Sequence, residues 1–259
     1  MKRTTSPARD QRPASWISYW DRQTDFTDRQ FDKSAKLFLE RSEPILGFRP
    51  DDVLLDLGCG PGDLGRRLAD RVREIHLVDT SPRYVRRCEA LCAGLPGLHA
   101  HRLDGSDRTD LSFLPAGRFT VMVCQSVAQY LDSHDQVARL LDGLARLAAP
   151  GARLLVSDLP RGGLPLRAAA TQLLEGARGG YLADVIRYLL RARFGEYWRL
   201  RRDRGVLAFD APGLAGLARG LDADARVLTQ RLTVNGGRLH LLVEFPRTAP
   251  GPPADPEAR

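Results

Sequence analysis

Val53 to Leu57 is an apolar run interrupted only by Asp56, and it stops at a row of glycines, Gly58, Gly60 and Gly62. Leu64, Leu68 and Val72 then recur at helical spacing, so the run predicts a buried strand that turns into a helix. The alternation repeats downstream. Glu74 to Asp79 predicts a second strand, and Thr80-Ser81-Pro82 a helix start, with Ser81 as cap and Pro82 at the first position. His99 to Leu103 predicts a third strand, followed by Asp104-Gly105-Ser106-Asp107, and Phe119 to Cys124 a fourth, leading into Gln125 to Leu131. Val137, Leu140, Leu141, Leu144 and Leu147 mark a helix. Pro150-Gly151 then predicts a turn into a fifth strand, Ala152 to Ser157, ended by Asp158. Strands alternating with helices in this order predict an α/β fold with a parallel, doubly wound sheet. Arg226 to Thr233 and Arg238 to Phe245 flank Asn235-Gly236-Gly237, which predicts a closing antiparallel hairpin.

Three stretches fall outside this rhythm. Residues 1–13 are polar and predict an unstructured tail, as does the proline-rich stretch 246–259. Residues 14–50 predict a helical segment ahead of the sheet. It opens with Trp16, Tyr19 and Trp20 within two turns and passes a polar break at Gln23 to Thr27. Thr27 and Gln30 form a capping-box pattern ahead of Phe31, Ala35, Phe38 and Leu39, and Pro44 predicts an end or restart of that helix. Within the main unit, 51–245, residues 162–204 are longer than one crossover requires. There Leu182, Val185, Ile186, Leu189, Phe194 and Trp198 predict an apolar face, and Arg187, Arg191, Arg193, Arg199, Arg201 and Arg202 a basic one. A helix packed on the body, a substrate cap, a membrane-surface contact and an acidic carrier-protein contact all fit that pattern. Asp210 with Pro212-Gly213 predicts the cap of a last helix.

Composition narrows the picture. The 259 residues suit one doubly wound domain with an insertion, or two small domains, and 43% hydrophobic with 27% charged residues is ordinary for a globular protein. No apolar run approaches the roughly 20 residues that cross a bilayer, and no signal-peptide core opens the chain, so a cytoplasmic location is expected. Cys59, Cys88, Cys92 and Cys124 lack paired metal spacing and read as reduced core residues, so no metal site is expected. A net charge of +7 invites a nucleic-acid reading. The excess is nearly all arginine, however, with Lys2, Lys33 and Lys36 the only lysines, and a GC-rich coding sequence produces the same bias. No specific nucleic-acid partner is expected.

The glycine row carries the chemistry. Glycines at a strand-to-helix turn let a ligand approach the backbone amides at the positive end of the helix. A dinucleotide loop, G-x-G-x-x-G, would need glycine at 63, where this chain has Asp63 and places Gly62 instead. The run Asp56-x-Gly58-Cys59-Gly60-x-Gly62 after a hydrophobic strand resembles motif I of the class I S-adenosylmethionine-dependent methyltransferases. With Asp79, Asp104, the Gln125 segment and the closing hairpin, the resemblance spans Val53 to Phe245. It implies a Rossmann-like seven-stranded sheet and S-adenosylmethionine as cofactor. Asp56, Gly58, Cys59, Gly60, Gly62, Asp79, Thr80, Asp104, Gly105 and Gln125 are then the cofactor-binding positions. Asp79 lies about twenty residues past the first glycine, where a carboxylate takes the ribose hydroxyls. In the resembled family an acid at the position of Asp104, which fits better than Asp107, receives the adenine amino group.

An activated sulfonium needs mainly an aligned nucleophile, so no fixed catalytic signature is expected. His134 and Asp158 are the candidate bases, and Tyr19 and Tyr130 the candidates for holding a substrate hydroxyl or ring. Amino-group methylation of adenine usually shows an Asn/Asp-Pro-Pro-aromatic run where this chain has Cys124-Gln125-Ser126-Val127, and cytosine C5 chemistry needs a nucleophilic cysteine there. The resemblance implies a small-molecule methyltransferase, with acceptors of specialised metabolism or carrier-bound acceptors as the expected class. Nucleic-acid methylation, or a non-methylating use of the cofactor such as cyclisation, stands as the alternative.

Overall fold

The computed structural model describes residues 15–22, 25–162 and 196–247, with isolated positions between 170 and 187. The expected tails at 1–13 and 248–259 and much of the insertion, including Leu189, Arg191, Arg193 and Phe194, lie outside the described residues. The strands are β1 Val53–Leu57, β2 Glu74–Asp79, β3 Leu98–Arg102, β4 Phe119–Gln125, β5 Ala148–Pro160, β6 Asp224–Leu228 and β7 Arg238–Glu244. They form one sheet in the order β3-β2-β1-β4-β5-β7-β6. The first five are parallel, and β7 runs antiparallel to both β5 and β6. The reversal of strand order between β1 and β4 leaves a crevice at their C-terminal ends, where open α/β sheets bind ligands.

Every residue of β1 is buried, because both faces of the sheet are covered. Val53, Leu55 and Leu57 face a core shared with α5 (His134–Leu147) and α7 (Ala211–Leu217). Leu54 faces the opposite core, built with α2 (Asp25–Leu46), α3 (Asp63–Leu68) and α4 (Pro82–Cys92). Two short helices, α1 (Trp16–Asp21) and α6 (Glu196–Arg204), complete the described set. Among the described residues no helix is long and apolar enough to cross a membrane.

Five sequence expectations are corrected. α2 begins at Asp25, so Thr27 and Gln30 lie inside it, while the capping box belongs to α1, where Ser15 and Ser18 exchange hydrogen bonds. α2 also runs through Pro44 to Leu46. Pro44 and Glu40, whose carbonyl loses its amide donor, are both exposed one turn from the helix end. β5 begins at Ala148, paired with Phe119, and Pro150-Gly151 forms a register break within the strand. Asp158 likewise lies inside β5, at an irregularity between Val156 and Leu159, with φ +65°. Finally, the expected antiparallel pair forms, but its first strand, β6, ends at Leu228, paired with His240, and not at Thr233, so Asn235-Gly236-Gly237 belongs to a longer connecting loop. Thr233 and Asn235 draw that loop onto Asp158.

At the opposite end of the sheet, Asp52 is 3% exposed and accepts both Arg153 NH2 contacts, at 2.9 and 3.0 Å. Thr120 Oγ1 and the Arg49 amide donate to the same carboxylate, at 2.7 Å each. The arrangement joins the entrance of β1 to β4 and β5. Removing one partner of a buried ion pair leaves an uncompensated charge, so Asp52→Ala is expected to cost about 3–5 kcal/mol. Urea unfolding should show a lower midpoint with unchanged slope. An unchanged midpoint would show that the pair adds nothing net to stability.

Candidate cofactor and acceptor site

The site begins where β1 runs out. Gly58 has φ +75°, and a Cβ there would lie 2.1 Å from Val127 Cγ2. Gly60 has φ +54° and open space around its missing Cβ. Gly62, at φ +83°, precedes α3 and packs close to Cys88 Sγ and Leu91. The loop's amides are engaged internally, which corrects the expectation that they face a ligand. Gly58 N and Cys59 N both donate to Val78 O, Gly62 N donates to Cys59 O, and Gly60 N donates to Asp79 Oδ2 at 2.9 Å. The glycines therefore provide close approach without a ring of donors, and a pyrophosphate would find little to hold it.

Charge points the same way. Asp56 and Asp63 are buried, and their Oδ2 atoms have no hydrogen-bond partner among the described residues. Burial first, then the charges of Asp79 and Asp63, raise Asp56 to about 7. Burial also raises Asp63 and Asp79, although the amides of Ser81, Gly60 and Thr80 partly offset this at Asp79. Buried carboxylates with unsatisfied oxygens favour a ligand that brings positive charge and hydroxyl donors. Cys59 and Cys88 are free thiols 3.7 Å apart between sulfurs, and that contact, then burial, pushes Cys59 well up.

The remaining cofactor positions flank this centre. Asp79 ends β2 and also accepts the Ser81 amide at 2.8 Å, with Thr80 between them. Asp104 is exposed just beyond β3, and its Oδ1 accepts the Ser106 amide, which holds its carboxyl below the usual range. Asp107 closes a similar turn on Thr109. Gln125 ends β4, half-buried, immediately before Ser126 at φ +59°.

α1 crosses above these loops. Asp21 Oδ1 accepts from Ser81 Oγ and the Arg83 amide, each at 2.8 Å, and so caps the start of α4. Ile17 Cδ1 stands 2.7 Å from where a Gly105 Cβ would be. Trp16 meets Tyr130 at 4.6 Å between ring centroids and Tyr197 at 5.4 Å, while its indole N–H donates to Gly205 O. Tyr19 packs against Tyr197, and Trp20 against both Tyr19 and Tyr130. Three distant segments thus converge in one aromatic cluster. Tyr197 was not singled out by sequence; the expected wall of Leu182 and Ile186 is exposed instead, and Val185 is half-buried. A cavity of about 290 Å³ opens beside the cluster, lined in part by Trp16, Gly105, Arg108, Tyr130, Arg139 and Arg204.

The two candidate bases are placed differently. His134 is exposed on the first turn of α5, with Nε2 3.1 Å from Ala208 O. Asp158 is 3% exposed and accepts from Ser126 Oγ, Thr233 Oγ1 and Asn235 Nδ2, with Arg238 Nε at 3.5 Å. Its carboxylate is saturated with donors, so Asp158 serves as an anchor and is corrected as a candidate base.

Fold and site together define an open α/β domain with a ligand crevice at the strand ends, electronegative at the glycine loop and roofed by aromatic rings. Residues 55–154 match a family model described as a methyltransferase domain. The fold is also that of a solved S-adenosylmethionine-dependent methyltransferase of Methanosarcina mazei, with TM-score 0.52, 16% identity and coverage of 78% and 97%. The chain is 32% identical over 154 residues to chondramide synthase of Chondromyces crocatus, which covers 59% of this chain and 4% of that one. It is 29% identical over 139 residues to trans-aconitate 2-methyltransferase of Streptomyces avermitilis, covering 52% of this chain and 49% of the relative. This chain thus spans a small part of the first and about half of the second. The N-methyltransferase NodS of Bradyrhizobium japonicum, solved with S-adenosylhomocysteine, shares the fold, with TM-score 0.50, 16% identity and coverage of 90% and 94%. The residues fit S-adenosylmethionine, the cofactor that the resemblance of the glycine loop implies. Its ammonium and sulfonium suit the Asp56–Asp63–Asp79 cluster with its two orphaned oxygens, and its ribose diol suits the carboxylate of Asp79.

The raised Asp56 makes binding sensitive to pH. The folded, ligand-free protein keeps a proton there that the unfolded chain releases near 3.8, so this group's contribution to stability falls as pH rises from there through about 7. A cation beside Asp56 favours the ionised form. S-adenosylhomocysteine is therefore expected to bind with proton release at about pH 6 and to tighten toward about pH 8. Calorimetry in buffers of different ionisation heat reads the proton count, and Asp56→Asn should remove it. Binding without proton release in the wild type would place the ammonium away from Asp56.

Proposed function

We propose that this protein transfers the methyl group of S-adenosylmethionine to a small-molecule acceptor held beneath α1. The observation that carries the reading is the convergence of Trp16, Tyr19, Trp20, Tyr130 and Tyr197 over the strand ends. Such a roof excludes water and grips an acceptor of modest size. When bound, the cofactor supplies a methyl group already activated on a sulfonium. The chain's part is to hold and align. Asp79 takes the ribose hydroxyls, Asp56 and Asp63 balance positive charge, and the rings fix the acceptor's approach, with Tyr19 and Tyr130 placed to hold a ring or hydroxyl. With Asp158 engaged as an anchor, catalysis rests on positioning, which is worth several kcal/mol or more of barrier.

Relatives support a metabolite acceptor, since one is a chondramide synthase and the other methylates trans-aconitate. The arginines beside the 290 Å³ cavity suit an acceptor that carries an anionic group, or an acidic carrier that presents it. Cytosine C5 chemistry is disfavoured at Cys124, which is fully buried and pushed up to about 12 by burial and the charge of Asp56.

The test is a truncation. A chain lacking residues 1–20 should fold by circular dichroism and bind S-adenosylhomocysteine within a few-fold of wild type. Formation of S-adenosylhomocysteine from the cofactor, with carboxylic acids, amines and carrier-bound amino acids as acceptors, should fall at least about a hundredfold, the scale of lost positioning. Full turnover in the truncated protein would remove α1 from the acceptor site.

A further inference from the structure

Three of the five histidines gather at the sheet edge, at the end of the strands remote from the glycine loop. Glu74 and His76 alternate along β2, and His99 and His101 along β3, so all four side chains issue on one face. His76 is directly opposite His99 in the pairing register. Glu74 Oε1 lies 2.8 Å from His76 Nε2 and 3.3 Å from His99 Nε2, and the three atoms are all within 4.8 Å of one another. Behind them, His76 Nδ1 and His101 Nε2 are 2.9 Å apart, with the two rings parallel.

We propose that Glu74, His76 and His99 form a binding site for one divalent d-block cation of the zinc type, with His101 supporting His76 from behind. Zinc bonds of about 2.0–2.2 Å to nitrogen and oxygen set tetrahedral ligand atoms roughly 3.3 Å apart, and the two separations from Glu74 Oε1, 2.8 and 3.3 Å, already stand near that spacing. Two imidazoles and a carboxylate select a borderline cation over calcium or magnesium, which prefer all-oxygen shells. The fourth position faces solvent, since the His99 side chain is 49% exposed, and that opening is also the route of entry.

The surroundings fit this role. Burial holds His76 below the usual imidazole range and, with the neighbouring histidines, holds His101 at about 4. Arg118 first, and His76 after it, keep Glu74 ionised down to about 2. A neutral imidazole carries its proton on one ring nitrogen and a lone pair on the other, so each histidine can offer one donor atom beside the Glu74 carboxylate. When His76 turns its Nε2 lone pair to a cation, its proton moves to Nδ1 and can be donated to His101 Nε2, the support that metal-bound histidines usually have. Arg118 touches both Glu74 oxygens, at 2.7 and 2.5 Å, and can keep Oε2 while Oε1 binds the metal. A cation here would tie the edge strand β3 to β2. It takes no part in methyl transfer, so the proposal is independent of the acceptor.

The test uses tag-free, full-length protein titrated with zinc chloride and, separately, with cobalt chloride. One zinc per chain is expected, with a melting temperature raised by several degrees, a tetrahedral cobalt spectrum and X-ray absorption showing nitrogen and oxygen neighbours only. His99→Ala, an exposed position that leaves the core intact, should abolish the shift, and His101→Ala should weaken zinc binding about 10- to 100-fold. S-adenosylhomocysteine affinity should be the same in both variants as in wild type, which separates this result from any failure of the functional reading. No zinc binding at about 100 µM would overturn the proposal. So would a shift retained in His99→Ala, or sulfur neighbours, which would move the metal to Cys59, Cys88 and Cys92.

Discussion

Gly58 and Val127 occupy adjoining volumes that leave no room for one more carbon, since a Cβ on Gly58 would come within 2.1 Å of the valine methyl. That contact pins the loop after β1 to the loop after β4. Gly58 and Cys59 amides then fix the first loop to β2 through Val78 O, and Gly60 fixes it again through Asp79. The second loop, held at Val127, continues into the turn Ala128–Tyr130, where the Gln129 carbonyl accepts the Leu207 amide and Tyr130 meets Trp16. One close approach thereby sets the height of the cofactor loop and the position of the aromatic roof. Any side chain at 58 would separate the two.

The same loop concentrates an electrostatic cost. Asp56 and Asp63 have buried oxygens without partners, an arrangement that lowers the stability of the ligand-free protein. Asp79 escapes part of that cost through the Gly60 and Ser81 amides. A protein shaped only for stability would have apolar residues at 56 and 63, as the rest of the β1 surroundings do. The unfavourable carboxylates make sense as the half of an interaction whose other half is a cationic ligand, and they explain why the site rejects a pyrophosphate more firmly than glycine spacing alone does.

Much of this was readable in the chain because it depends on local patterns. The first five strands followed from apolar runs, and the helix start at Ser81-Pro82 from its capping chemistry. Asp79 and Gly62 were found by spacing. What could not be read depends on contacts between distant segments. Tyr197 sits in a segment dominated by arginines, and only the docking of α1 turns it toward Trp16. The histidine cluster was hidden because its members, on β2 and β3, meet through sheet register, which a search for closely spaced ligands does not detect. The Asn-Gly-Gly signal pointed correctly to the antiparallel pair but not to where β6 ends, since Asp158 holds Thr233 and Asn235 in the loop.

Ser126 and Asp158 both have left-handed backbone without being glycine, a conformation costing on the order of 1–3 kcal/mol each. They sit on adjacent strands, where Ser126 Oγ donates to Asp158 Oδ2 at 2.7 Å and the Ser126 amide to Ser157 O at 2.9 Å. Ser157 and the Asp158 amide in turn contact His240 Nδ1 on β7. The antiparallel strand supports the strained pair, because its histidine holds the Ser157 hydroxyl and the Asp158 amide while the preceding loop holds the Asp158 carboxylate. The strain turns the chain sharply at the ends of β4 and β5, directly beside the crevice. The acid held by these donors ties the loop before β7 to the ends of β4 and β5.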